Sequence, residues 1–170
     1  KGYQQIRLME YLNHMPVIQL VADFTEADDI IAHVINHDNY EGWHKTIISS
    51  DKDFFQLCRE DVSIYRPIQK KVMTKDSIIN EFKIHPKNFA LARAMAGDAS
   101  DNLPGIRGAG LKTIAKRFPY LVREDEYEVA DIIRDCAMQA KKLKIHENIQ
   151  TGETLIKDNY KIMQLYYPNI

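Results

Sequence analysis

The sequence predicts an α/β fold, a parallel sheet with crossover helices, followed by an all-helical region. Up to about residue 72, short runs of apolar and β-branched residues alternate with amphipathic stretches, as in strand-helix-strand units. Beyond Lys71 the strand signal stops and helical spacing takes over. Three acidic clusters also fall where a predicted strand ends or a predicted helix begins, the edge at which α/β folds place their ligands. The expected organisation is an α/β core over 1–72 and a helical region over 73–170, with the boundary between Lys70 and Thr74.

In chain order, Ile6, Leu8, Met9, Leu12 and Met15 give the segment from Gln4 to His14 an approximate apolar helical face. After Pro16, the run Val17 to Val21 reads as a buried strand, and Thr25 opens a helix that continues to about His37. Thr46 to Ser50 is the next strand, Phe54 to Leu57 a short helix, and Val62 to Tyr65 a third strand. Thr74 caps a helix to Phe82, and Pro86 sits in the first turn of another that ends near Gly97. The start at Lys1, directly inside a helical pattern, carries the expectation that an upstream portion precedes it.

With 170 residues and 45% hydrophobic content the chain can bury a core. No apolar run reaches the length of a membrane span and no secretory signal pattern opens the chain, so the expected compartment is the cytoplasm, with no membrane partner. Cys58 and Cys136 have neither a disulfide framework nor zinc-ligand spacing and read as core side chains. The 23 basic and 24 acidic residues nearly cancel, which confines any nucleic-acid contact to a local patch.

Glu26, Asp28 and Asp29 form the first acidic cluster, Asp51 and Asp53 the second, Asp98 and Asp101 the third. The first has an ordinary explanation, because acids in the first turn of a helix are favoured by its dipole. The second repeats the arrangement at the end of the next strand, where coincidence is harder to sustain. Carboxylates crowded at one sheet edge repel one another and resist ionisation unless a hard cation such as Mg²⁺ neutralises them. The set therefore reads as the site of a metal-dependent phosphate enzyme.

The third cluster runs into Leu103-Pro104-Gly105-Ile106-Arg107-Gly108-Ala109-Gly110-Leu111-Lys112, a helix-hairpin-helix signal. Its glycines allow a tight connection, and amides ahead of the helix at Leu111 can meet a phosphate oxygen. From Leu103 to Phe118 there are four basic residues, Arg107, Lys112, Lys116 and Arg117, and no acid. This is the local basic patch that the balanced composition requires.

Together, Glu-Ala-Asp-Asp (26–29), Ser-Ser-Asp-Lys-Asp-Phe (49–54) and Gly-Asp-Ala-Ser-Asp-Asn-Leu-Pro-Gly-Ile (97–106) resemble, in order and spacing, the motifs of the 5′-nuclease superfamily. That family comprises flap endonucleases, the 5′-nuclease domain of bacterial DNA polymerase I, and bacteriophage 5′-exonuclease and ribonuclease H enzymes. The resemblance covers most of Val17 to Phe118 and leans toward the bacteriophage branch. It implies a resolvase-like (PIN-like) core joined to a helix-three-turn-helix element at about 93–118; the family's first-strand aspartate, the aspartate of a following strand and the basic arch are not found here, so that either they belong to an upstream part of a longer polypeptide or the chain is a remnant with an incomplete metal site. It also implies that Glu26, Asp28, Asp29, Asp51, Asp53, Asp98 and Asp101 hold two Mg²⁺ or Mn²⁺ ions, and that K⁺ sits on carbonyls of the hairpin loop.

By the same resemblance, Gly105, Ile106, Gly108 and Gly110 contact a DNA backbone through the main chain, and Arg107, Lys112, Lys116 and Arg117 add side-chain contacts. The implied activity is hydrolysis of phosphodiester bonds at 5′ ends or flaps of duplex DNA, or in an RNA:DNA hybrid, as in primer removal and repair. Two alternatives stay open: a non-catalytic DNA-structure-binding module with a remnant metal site, and a PIN-like ribonuclease. The pair His33 and His37, spaced for metal but lacking a third ligand nearby, reads as an exposed helix face. Trp43 reads as packing, and Tyr160, Tyr166 and Tyr167 as the close of a helical core.

Overall fold

The structure, a computed structural model, describes residues 2–165. Helix α1 (Gly2–Leu12) and helix α2 (Ala27–Asn36) lead into strand β1 (Lys45–Ile48), a 3₁₀ turn (Asp53–Leu57) and strand β2 (Val62–Arg66). Strand β3 (Lys71–Met73) and helix α3 (Lys75–Phe82) follow, then a 3₁₀ turn (Pro86–Asn88) that runs into α4 (Phe89–Ala96). Helices α5 (Leu111–Arg117), α6 (Val129–Met138), α7 (Lys144–Thr151) and α8 (Glu153–Met163) complete the helical part.

The sheet has the order β1-β2-β3. β1 and β2 are parallel, with Lys45 opposite Val62 and Ile48 opposite Tyr65, as the alternation of elements predicts. β2 and β3 are antiparallel, so the sheet is mixed rather than all parallel. β3 escapes sequence reading because it is three residues long and begins in the polar run Gln69-Lys70-Lys71. What creates it is the turn from Pro67 to Lys70, where Lys70 takes a left-handed φ of 50°.

Two further expectations are corrected. Val17 to Val21 is not a strand: it forms no ladder, and Ile18 and Val21 are 81% and 83% exposed. Apolar β-branched composition makes a strand only where a neighbouring edge supplies hydrogen bonds, and this segment lies instead across α2 and β1, where Ile18 and Leu20 line an apolar groove with Ile30, Val34 and Ile47. Thr25 does not cap α2. Its hydroxyl donates to the Asp23 carbonyl, and Glu26 takes the N-cap position without a side-chain cap bond. Thr74 does cap α3, accepting from the Ser77 amide in a reciprocal capping box. The face of α1 carrying Ile6, Leu8 and Met9 is exposed.

One buried cluster runs from Ala32 to Met163 and joins the sheet to the helices. Phe55 of the first 3₁₀ turn, Phe82 of α3 and Phe89 of α4 pack edge to face or tilted, with ring centroids 5.2 to 5.7 Å apart. Cys58 and Cys136 are buried, and burial pushes their thiols up to about 12 and about 11, which leaves them unreactive core groups.

Buried amides fasten the frame. Asn88 donates to the carbonyls of Leu121, Arg123 and Asp125 and accepts from the Tyr127 amide. Asn159 of α8 donates to Ala94 O at 3.0 Å and Pro104 O at 2.9 Å, tying α8 to the end of α4 and to the start of the glycine hairpin. Asn159→Ala strands both acceptors and is expected to cost about 1–3 kcal/mol in urea unfolding. A loss below about 0.5 kcal/mol would show that the frame does not depend on it.

Asp61 sets the acid limit of the sheet edge. The Lys45 ammonium, at 2.8 Å, and Arg59, at 2.7 Å, hold its carboxyl down at about 2. Because the folded value lies below the unfolded one, the contribution is complete above roughly pH 4 and is lost as pH falls toward 2. The melting temperature of Asp61→Asn should therefore fall less steeply than that of the unmodified chain between about pH 4 and about pH 2, and parallel curves would refute the role.

Candidate metal centre and nucleic-acid interface

The acidic clusters are carried to one place by three elements. The first turn of α2 presents Asp28 and Asp29, with Glu26 exposed at its N-cap. The link after β1 presents Asp51 and Asp53, braced by a hydrogen bond from the Asp53 amide to Asp51 Oδ1 at 2.9 Å. The loop after α4 presents Asp98 and Asp101. Asp98 is fixed there by reciprocal 2.8 Å backbone hydrogen bonds with Leu103, which close the loop over 98–103.

Gly97 and Gly105 explain how this loop packs. Gly97 has φ of 75°, and a Cβ built on it would lie 2.3 Å from the Gly105 nitrogen; a Cβ on Gly105 would lie 1.9 Å from the Ala96 carbonyl oxygen. The end of α4 and the start of the hairpin are thus in backbone contact that only glycine permits.

Carboxylate oxygens of Asp53, Asp98 and Asp101 lie within 4.8 Å of one another, the one group of three potential metal ligands among the described residues. Glu26, Asp28, Asp29 and Asp51 stand outside that triplet, with Asp28 and Asp51 within electrostatic reach of Asp53. Burial, followed by the charges of Asp51, Glu26, Asp53 and Asp29, raises the Asp28 carboxyl above its ordinary value. Asp53 is also raised, by burial first, with Asp51 and Asp98 adding to it and Arg93 opposing. Asp98 is held low, at about 2, by hydrogen bonds from the Ser100 hydroxyl and amide and by Arg93.

Arg93 is the residue that reading the motifs missed. Its Nε donates to Asp53 Oδ1 at 3.0 Å and its Nη2 to Asp98 Oδ2, so one guanidinium joins the second and third clusters. The side chain is about 10% exposed and its two partners about 15%. The signal was present in the composition of α4, Phe-Ala-Leu-Ala-Arg-Ala-Met-Ala, where the lone charge must find a partner once the helix is buried. Ser50 is a second omission. It lines, with Asp51, Lys52, Arg93, Asp98 and Ser100, a cleft of about 300 Å³, and its buried hydroxyl has no hydrogen-bond partner among the described residues. Hard oxygen donors, a surplus of negative charge and an orphaned hydroxyl form a donor set that suits a hard divalent cation.

The hairpin between Asp98 and α5 is exposed at Arg107, Gly108 and Gly110, and Gly108 needs its glycine for a φ of 87°. Gly105 is accounted for by the close approach to Ala96. Ile106 is buried; its amide donates to Met95 O at 2.8 Å, its carbonyl accepts from Ala109, and its side chain rests on Gly152. The amides of Gly110, Leu111 and Lys112 have no acceptor among the described residues. Arg107, Lys112, Lys116 and Arg117 are exposed and form no ion pair among the described residues.

Other candidates do not build sites. His33 and His37 stack edge to face at 5.4 Å and join no ligand triplet among the described residues. Trp43 is 64% exposed rather than packed, touching Tyr40 by an edge. Tyr160 packs against the core as expected, and Tyr166 and Tyr167 lie outside the described residues.

Comparison with known proteins bears on the family and the fold. Residues 3–83 match the model of the 5′-3′ exonuclease N-terminal resolvase-like domain. A 5′-3′ exonuclease of Aquifex aeolicus is 40% identical over 88 residues, covering 52% of this chain and 30% of that protein. The flap endonuclease Xni of Pseudoalteromonas translucida is 31% identical over 125 residues, covering 73% of this chain and 47% of that protein. The chain thus spans less than half the length of these relatives. Among solved structures, the T5 5′-exonuclease with bound zinc ions superposes with a TM-score of 0.77 at 22% identity, over 96% of this chain and 58% of the other. A bacteriophage T5 flap endonuclease in complex with DNA and metal ions gives the same TM-score and coverage. These structures share the fold, a resolvase-like α/β core with an appended helical part.

Arg93→Met leaves Asp53 and Asp98 without their shared counter-charge. It is expected to cost about 3 kcal/mol in metal-free urea unfolding, with part of the loss recovered on adding Mg²⁺. Unchanged stability would show that the guanidinium is not what balances the acids.

Proposed function

From a chain that belongs to the 5′-nuclease superfamily, we infer a metal-dependent hydrolase of phosphodiester bonds at 5′ ends or flaps of duplex DNA. The observation that carries the reading is the convergence of Asp53, Asp98 and Asp101 within 4.8 Å, bordered by Asp28 and Asp51. In this reading Asp53, Asp98 and Asp101 hold one divalent ion, and Asp28 and Asp51, with Glu26 and Asp29 behind them, contribute to a second. Mg²⁺ is the expected ion, with Mn²⁺ able to replace it, because every donor is a carboxylate oxygen. Bound there, the ions would supply the positive charge that activates water and offsets the charge developing on the phosphate.

The chain's own residues divide the remaining work. Arg93 fixes the relative position of the second and third clusters. Ser100 and Arg93 keep Asp98 ionised throughout the neutral range, so it is a permanent anion of the site. Lys52 lines the cleft beside these acids, where an ammonium meets an incoming phosphate and keeps the carboxylates from repelling it. Arg107, Lys112, Lys116 and Arg117 would hold the duplex backbone without reading its sequence. Since the Ile106 and Arg107 carbonyls already accept bonds from Ala109 and Asn148, a K⁺ ion on the hairpin would draw mainly on other loop carbonyls.

A DNA-binding module without catalysis is the second reading; what opposes it is the cost of keeping Asp28 and Asp53 ionised where burial and neighbouring carboxylates raise their pKa values unless a cation is bound. The test is cleavage of a 5′-labelled flap duplex by this chain, and by a longer polypeptide that carries it, with Mg²⁺ or with chelator. Metal-dependent release of short 5′ products is expected. Asp98→Asn should reduce it by roughly 100-fold or more while melting remains cooperative. Duplex binding without cleavage in both polypeptides would establish the binding module instead.

A further inference from the structure

We propose that Arg66 is a positioning residue for the metal centre: its guanidinium replaces a backbone rung that Pro67 removes, and so sets where Asp51 stands. The parallel register of β1 and β2 creates the need. Lys45 N donates to Asp61 O at 2.8 Å and Ser49 N to Tyr65 O at 3.0 Å. Continued by one step, that ladder calls for an amide at position 67 to reach the Ser49 carbonyl, and position 67 is a proline, which has no N–H. The backbone tether of β1 to β2 therefore ends at Ser49, just ahead of the turn that carries Asp51 and Asp53.

Arg66 supplies what the backbone does not. Its Nη2 donates to the Ser50 carbonyl at 3.3 Å. The side chain lies on the same face of β2 as Val62 and Ile64, both fully buried, and its Cζ sits over the Phe55 ring, 5.7 Å from the centroid. Phe55 is itself held by Phe82 and Phe89, so the stack anchors the guanidinium to the core. Arg66 is half-buried and forms no ion pair among the described residues. A guanidinium bonded to a main-chain carbonyl rather than to a carboxylate acts on the course of the chain, not as the counter-charge of one acid.

Beyond Ser50 the turn holds its own shape. Asp51 N donates to Ser49 Oγ at 3.1 Å, and Asp53 N to Asp51 Oδ1 at 2.9 Å. Those bonds are internal to the turn, and the bond from Arg66 is what fixes the turn against the sheet. Ser50 Oγ and Arg66 Nε, the buried side-chain polar atoms without partners among the described residues, both belong to this junction and add no second tether. Groups that orient a metal ligand from behind govern affinity about as strongly as the ligands' own placement does.

The inference rests on the reading of Asp51 as a contributor to the second ion, and one Mn²⁺ titration, followed by electron paramagnetic resonance of the free ion, separates the two. In Arg66→Met the second Mn²⁺ equivalent should bind about tenfold more weakly. In a chain that already carries Asp51→Asn the same substitution should add nothing, because Arg66 acts through Asp51. The direction is diagnostic, since a cation acting by charge alone repels Mn²⁺ and its removal would tighten binding. Tighter binding in Arg66→Met, unchanged binding whatever the urea midpoint, or equal weakening with and without Asp51 would each overturn the proposal. If Arg66→Met does not unfold cooperatively, Arg66→Lys takes its place. It keeps the charge but loses the planar fork that stacks and reaches at once, and should weaken the second equivalent by about threefold; unchanged binding there counts against the role. Undiminished binding in Asp51→Asn would overturn the reading of Asp51 and the inference with it, whereas a loss there without one in Arg66→Met overturns the inference alone.

Discussion

A guanidinium placed between two carboxylates sets the terms for the rest of this molecule. Asp53 follows a strand of the α/β part, Asp98 follows a helix of the helical part, and nothing in the covalent chain obliges them to meet. Arg93 obliges them, because a charge on a buried helix must be paired where it emerges. Its fork geometry suits two acceptors at once, which a lysine in the same position would not match. The interaction is therefore structural and functional together: it orients two clusters, and it balances part of their charge.

The helical part exists in a form that can hold this geometry. Gly97 and Gly105 let the hairpin return against the end of α4, and Asn159 ties both the Ala94 and Pro104 carbonyls to α8. Ile106 then points into the core and packs on Gly152, so the hairpin is braced from beneath while its basic residues face outward. The acidic loop and the cations of α5 lie at the two ends of the hairpin. Asp51 and Asp98 line one cleft together with Lys52 and Arg93, and the cations of α5 stay free of ion pairs among the described residues. A polyanion held on these cations would have its backbone brought beside the cleft.

How much of this was legible in the sequence depends on whether the determinant is local. The hairpin, the Thr74 cap, the Pro86 turn and the parallel β1-β2 pair follow from residues close to one another and are found as expected. All seven acids could be named because each cluster is a short local run, at the start of α2, after β1 and after α4. Val17 to Val21 misled because strand formation needs an edge to pair with, and composition does not report one. β3 was invisible because its turn, rather than its three residues, creates it. Arg93 was used only to mark the start of the hairpin element, and its partners lie 40 and 5 residues away.

Several carboxylates gathered around one arginine leave a charge deficit that a divalent ion can fill, and this is the claim on which the functional account turns. Direct titration of the chain with Mn²⁺, followed by electron paramagnetic resonance of the free ion, tests it without requiring turnover. The account predicts saturable binding that weakens by roughly tenfold or more in Asp53→Asn and in Asp98→Asn. Binding undiminished in both variants, or no binding by the unmodified chain, would contradict it.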